Sequence, residues 1–272
     1  MKLHNSLTGI SLIATAAIGL STAPAQAFNF NTGEKLGTCD VLVDNVTKPL
    51  FKAFIDETDD VSTCTTEDGI TLSATQPGDG FLQGKKVDDI VGIGVSVPDP
   101  GPVPGEIQFG EELVAELGTA SIIESISLGF LYLDGEFHDL VNEIAKIEAK
   151  GADGTSKMAT LTVTGETTAE WLVDGVAMDS VINIDPSVEP EGGAYEISNP
   201  FGDDFLVSSL LFTAPDQPGI EKPRDSDYSL LSIDATAPGD TGGPTVPEPT
   251  TLLGLGVVGG LMASARRRKS SR

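Results

Sequence analysis

The chain has 272 residues, is 39% hydrophobic, and carries 16 Lys and Arg against 41 Asp and Glu, for a net charge of −25. That length makes one domain with appendages, and the apolar share is too high for a disordered chain. So acidic a body excludes nucleic acid and anionic lipid as partners and favours solubility and divalent cations.

Lys2 opens the chain, residues 7–20 carry no charge and are mostly apolar, and Ala25-Gln26-Ala27 puts small residues at the two positions a signal peptidase inspects. Residues 1–27 therefore read as a secretory signal peptide, with cleavage between Ala27 and Phe28. Residues 28–68 form a polar section holding the only cysteines, Cys39 and Cys64. In an exported chain an isolated pair without a CxxC spacing or a nearby His predicts one disulfide. A short helix is expected over 50–55, entered through Pro49. The acids of 56–60 do not follow the spacing of a helix-loop-helix calcium site.

From Gly69 onward the hydrophobic period becomes two, with turn residues every 8–12 positions. Strands are predicted over 70–74, 91–97, 107–109, 121–133, 159–164, 169–173, 180–184, 194–197, 204–213 and 228–234. Residues 111–117 fit a helical turn or a strand. Residues 141–149 fit either period and are assigned to a strand because hairpin signals flank them, Asp134-Gly135 before and Asp153-Gly154 after. Within 121–133, alternation puts Ile126, Leu128, Phe130 and Tyr132 on one face. Ten or more short strands and almost no helical pattern predict an all-β fold over 69–235, an antiparallel two-sheet β-sandwich of jelly-roll type.

Chemistry is sparse. His138 is the one histidine after the signal peptide, so a triad or an imidazole zinc site has little to draw on. No catalytic residue is assigned. Asp203-Asp204 and Asp225-Ser226-Asp227 are acidic pairs at loop-to-strand transitions. Asp203, Asp204, Asp225 and Asp227 are candidate ligands for one structural calcium; solvated turns are the other reading. Trp171 and Tyr132 lie in strand patterns and are expected in the core, whereas Tyr195 and Tyr228 border turns and are candidates for contact with a ligand.

Pro238, Gly239, Gly242, Gly243 and Pro244 make 236–246 a flexible linker. Then come Val246, Pro247, Glu248 and Pro249, an uncharged apolar run over 250–265, and Arg266, Arg267, Arg268, Lys269 and Arg272. As a helix the run spans about 24 Å, a marginal membrane crossing, and the basic cluster would hold its end on the cytoplasmic side. Six of the 16 basic residues but only one of the 41 acids, Glu248, lie in the two terminal segments, so residues 28–246 carry about −30.

Motif, apolar run and basic tail, in that order, closely resemble the PEP-CTERM sorting signal (residues 247–272), found on bacterial surface and exopolysaccharide-associated proteins and read by the membrane protease exosortase. The body, around Gly92-Ile93-Gly94 and residues 127–136, loosely resembles β-sandwich proteins that carry this signal. The resemblance implies export, transient anchoring in the inner membrane by a C-terminal helix, release by exosortase, and residence at the cell surface or in the extracellular matrix. The expected function is non-catalytic, with extracellular polysaccharide as a ligand; an exported glycan-active enzyme, hydrolase or lyase, is the alternative. Signal peptidase and exosortase are the expected partners.

Overall fold

A computed structural model of the chain describes residues 25–46, 61–75, 80–87, 89–96, 105–135, 141–184, 193–216 and 226–238. The helix expected over 50–55, the acids of 56–60, His138, Asp225, residues 239–246 of the linker and the whole C-terminal segment lie outside them.

In chain order the elements are β1 (Gln26–Asn29), α1 (Asp40–Val46), β2 (Thr63–Thr65), β3 (Ile70–Thr75), β4 (Phe81–Val87), β5 (Ile90–Ser96), β6 (Glu112–Leu131), β7 (Ile144–Gly151), β8 (Ser156–Gly165), β9 (Thr168–Val173), β10 (Val176–Met178), β11 (Val181–Asn183), β12 (Gly193–Ser198), β13 (Val207–Thr213) and β14 (Ser229–Thr236). These strands join into one 14-stranded antiparallel network, ordered β10-β9-β8-β7-β13-β6-β14-β5-β4. β1 adds to β14, β3 to β6 with β2 outside it, and β12 to β6 with β11 outside it.

Inward positions of β7 and β8 alternate strictly: Ala145, Ile147 and Ala149 face the core, as do Ala159, Leu161 and Val163. That alternation is why the predicted segment 141–149 forms a strand from Ile144 on, despite its helical character, while 141–143 stays outside it. Between β9 and β10, Asp174-Gly175 closes a two-residue hairpin with both residues at positive φ, the geometry that Asp-Gly favours.

Strand β6 organises the network. The segments expected at 111–117 and 121–133 are one strand, whose first half pairs with β3 and β13 and whose second half pairs with β12 and β14. The halves meet at an irregularity where a step of two residues in β13, Val207 to Ser209, stands opposite the step from Glu116 to Ser121. A second irregularity corrects the expected face. Between Leu128 and Leu131, β6 has one residue more than β12, and Phe130 adopts φ 63°. One extra residue turns every later side chain over. Ile126 and Leu128 thus lie in the main core, while Phe130 and Tyr132 pack with Ile90, Ala194 and Leu231 in a second cluster.

The N-terminal section packs into the same main cluster as the strands, through Phe28, Phe30, Leu36, Cys39, Leu42 and Cys64. Cys39 and Cys64 are disulfide-bonded, as the sequence predicts, with Cα atoms 5.1 Å apart. Beside the bridge the Thr65 amide donates to Thr38 Oγ1 at 2.7 Å and the Glu67 amide to the Lys35 carbonyl at 2.9 Å. With the cysteines 25 positions apart in sequence, the cross-link restricts the unfolded chain by about 3 kcal/mol. Cys39→Ser/Cys64→Ser is accordingly expected to unfold at a clearly lower temperature than the oxidised protein. Identical melting curves with and without reductant would show that the bridge contributes nothing.

Candidate functional site

The pair Asp203 and Asp204 is not brought to Asp227, the described member of the other predicted pair. Asp203 and Asp204 are exposed in the turn ahead of β13, where Asn199 Nδ2 donates to Asp203 Oδ1 at 2.6 Å. Val207 pairs with Gly151 at the end of β7, whereas the Ile144 amide, at its start, donates to Ser226 Oγ at 3.0 Å. The length of β7, roughly 23 Å, separates the pair at 203–204 from Asp227. Among the described residues no group of three or more His, Cys, Asp or Glu is placed to hold a metal ion.

What does assemble around Asp227 is a buried carboxyl cluster that the strand pattern did not mark. Residues just before β14 bring in Ser226 and Asp227; the turn before β7 brings Glu143; the segment before β6 brings Glu106 and Glu111; β4 brings Lys85. Glu106 and Glu143 are each 1% exposed and Glu111 6%. The backbone of Glu106 is held on both sides, its carbonyl by the Val95 amide at 3.0 Å and the next residue's amide, Ile107, by the Tyr228 carbonyl at 2.7 Å.

Most of the acidic oxygens serve as backbone caps. Glu143 Oε2 accepts from the Tyr132 amide and Oε1 from the Asp227 amide at 3.3 Å, so one carboxylate ties the end of β6 to the start of β14. Glu111 Oε2 accepts from the Gln108 amide at 2.9 Å. Glu106 differs. Lys85 Nζ donates to its Oε1 and lies 4.5 Å from the Phe130 ring centroid, and the Asp227 carboxyl is a close neighbour of the Glu106 carboxyl.

Two facing carboxylates in a dry interior need a proton between them. Burial is the main cause that pushes Glu106 from its ordinary 4.5 up to about 8; the Asp227 charge adds to it and Lys85 opposes it. Burial likewise raises Glu111 to about 7, against the pull of the Gln108 amide and with some help from Asp227. In this arrangement Lys85 meets the Glu106 carboxyl while the Glu111 and Glu143 oxygens cap backbone amides. It fastens four parts of the chain together, and oxygens this deeply enclosed cannot meet a solute in this conformation.

Aromatic residues follow the same logic. Trp171 is fully buried, as expected, with its indole N–H on the Pro200 carbonyl at 3.1 Å. The reading of Tyr195 and Tyr228 as ligand contacts is corrected: both are at most 1% exposed. Tyr228 donates to the Thr213 carbonyl at 3.0 Å, and burial raises its phenol well above the ordinary value. Bordering a turn in sequence did not put either ring on the surface, because strand pairing carries both into the core.

Lys85, Glu106, Glu111 and Glu143 escaped the sequence reading, and Asp227 was singled out for another reason. Apolar residues follow Glu106 and Glu143 directly, but with so many acids in the chain such a neighbour distinguishes nothing.

Set against known proteins, residues 245–269 match the PEP-CTERM protein-sorting motif. No curated protein and no solved structure matches the chain. The motif implies an exported protein that exosortase recognises and processes at the membrane. No helix among the described residues is long and apolar enough to cross a membrane; the helix expected within 247–272 lies outside them.

Proposed function

We propose that this chain is a non-catalytic surface or extracellular-matrix protein, delivered by an N-terminal signal peptide and released from the inner membrane by exosortase. The sorting motif at 245–269 is the observation that carries the reading. Its order, motif then apolar run then Arg266, Arg267, Arg268 and Lys269, would leave the whole β domain outside the membrane, with the basic cluster on the cytoplasmic side. The domain is read as a two-sheet sandwich in which β6 belongs to both sheets, crossing between them at 117–120. Extracellular polysaccharide is the proposed ligand class.

A non-catalytic role is favoured by the use made of the acids. The buried carboxyls cap amides or meet Lys85. Mass spectrometry of the protein recovered from a host that has exosortase tests the sorting. The recovered chain is expected to end upstream of Arg266; intact peptides covering 266–272 on the released protein would overturn the processing. A glycan array probed with the released protein tests the ligand class. Retained neutral polysaccharide without hydrolysis is expected, and cleavage of a retained glycan would reverse the non-catalytic reading.

A further inference from the structure

We infer that removal of the signal peptide has to precede closure of the domain, because the bond between Ala27 and Phe28 lies inside β1, a strand held in place by the last strand, β14. The inference rests on the signal-peptide reading proposed above.

Every residue of β1 is paired: Gln26 stands opposite Ala235, Ala27 opposite Asp234, Phe28 opposite Ile233 and Asn29 opposite Ser232. Gln26 is 4% exposed and Phe28 2%. The Ala27 amide donates to Asp68 Oδ2 at 3.3 Å, the Phe30 amide to the Leu231 carbonyl at 3.0 Å, and the Phe28 ring packs edge-on against Phe30 with centroids 5.2 Å apart. A peptidase that inspects small residues at the first and third positions before the cut needs that backbone extended and free of its neighbours. In the closed domain the same backbone is engaged with β14, and the residue just after the cut is in the core.

Chain order makes this a matter of timing. β14 is the last strand to be made, so while the chain is being exported β1 has no partner and the bond is open. Once β14 arrives, cutting requires β1 to lift away and expose Phe28. The cost of that local opening multiplies the cleavage time. The register adds a geometric consequence. Gln26 pairs with Ala235, so the chain enters the fold and leaves it toward the linker on neighbouring strands, about 5 Å apart. A precursor that escapes early cutting is therefore a closed domain whose two ends start from neighbouring strands.

The test uses the full 272-residue precursor in detergent, presented to purified signal peptidase either folded or freshly diluted from denaturant, with Trp171 emission reporting which state is present. Cutting between Ala27 and Phe28 in the diluted chain, at least about tenfold faster than in the folded one, is the expected result. Equal rates would overturn the order of events while leaving the signal peptide in place. No cut at that bond even in the unfolded chain would overturn the signal-peptide reading, and the order with it.

Discussion

Lys85→Met is expected to lower the stability of the domain by about 3 kcal/mol near pH 8, and by less than half of that near pH 5.5, because Lys85 is the cation against the Glu106 carboxyl. Removing one partner of a buried pair leaves the other uncompensated. Here the remaining partner can take a proton, so the loss shrinks where protons are available. The same groups set the direction of the wild-type pH dependence. Glu106 and Glu111 bind their protons more tightly folded than unfolded, by burial first and then through Asp227. Between about pH 4.5 and 8 the unfolded chain has released protons that the folded chain keeps, so this contribution to stability is full below the window and declines as pH rises through it. Relief of the general negative charge acts in the same direction, and Glu106→Gln separates the two. Relative to wild type, the glutamine variant is expected to become steadily more stable as pH rises, whereas a purely global charge effect would leave the difference flat. Urea unfolding followed by Trp171 emission across this range provides the measurement.

Gly94→Ala is the second substitution with a large expected effect, and it acts through backbone contact. A Cβ at Gly94 would lie 2.4 Å from the Glu106 carbonyl carbon and 2.5 Å from its Cα and N. Those atoms have little freedom to retreat, since Glu106 is anchored to Val95 on one side and Ile107 to Tyr228 on the other. Displacing them also moves the Glu106 carboxyl away from Lys85. The cost is expected to exceed the 1–3 kcal/mol of ordinary overpacking, roughly enough to leave the domain unfolded at 37 °C. Gly110→Ala is the comparison: no atom lies within 4 Å of its added Cβ, and only the backbone at φ 83° resists, for about 1–2 kcal/mol. Comparable melting temperatures for the two variants would refute close approach as the reason for glycine at position 94.

Gly92 and Gly94 show how far a sequence pattern can be followed. As part of the Gly92-Ile93-Gly94 run they stood out within an alternating strand, and alternation alone predicted β5 correctly. Why glycine occurs there depends on chains that come from elsewhere: Ser229 and Leu231 over Gly92, and Glu106 over Gly94. Strands without strong alternation, β1, β2, β4 and β10 among them, left too weak a period to find. Phe81–Val87 contains Gln83, Gly84, Lys85 and Lys86 in succession, yet forms seven consecutive pairs with β5. Tertiary pairing supplied what local propensity lacked.

By itself the sequence determined the features that depend on linear order or on a short period. Motif, apolar run and basic tail are read by membrane machinery as a string, so they are legible without a fold. Antiparallel β structure follows from a period of two, and the Cys39–Cys64 bridge from there being only two cysteines. The face that Phe130 and Tyr132 occupy, the burial of Tyr195 and Tyr228, and the meeting of Lys85, Glu106, Glu143 and Asp227 came from contacts between distant parts of the chain. One extra residue in β6 inverts everything after it, and a carboxylate's chemistry is set by what lies within a few ångströms across the chain. Neither is written in its neighbours along the sequence.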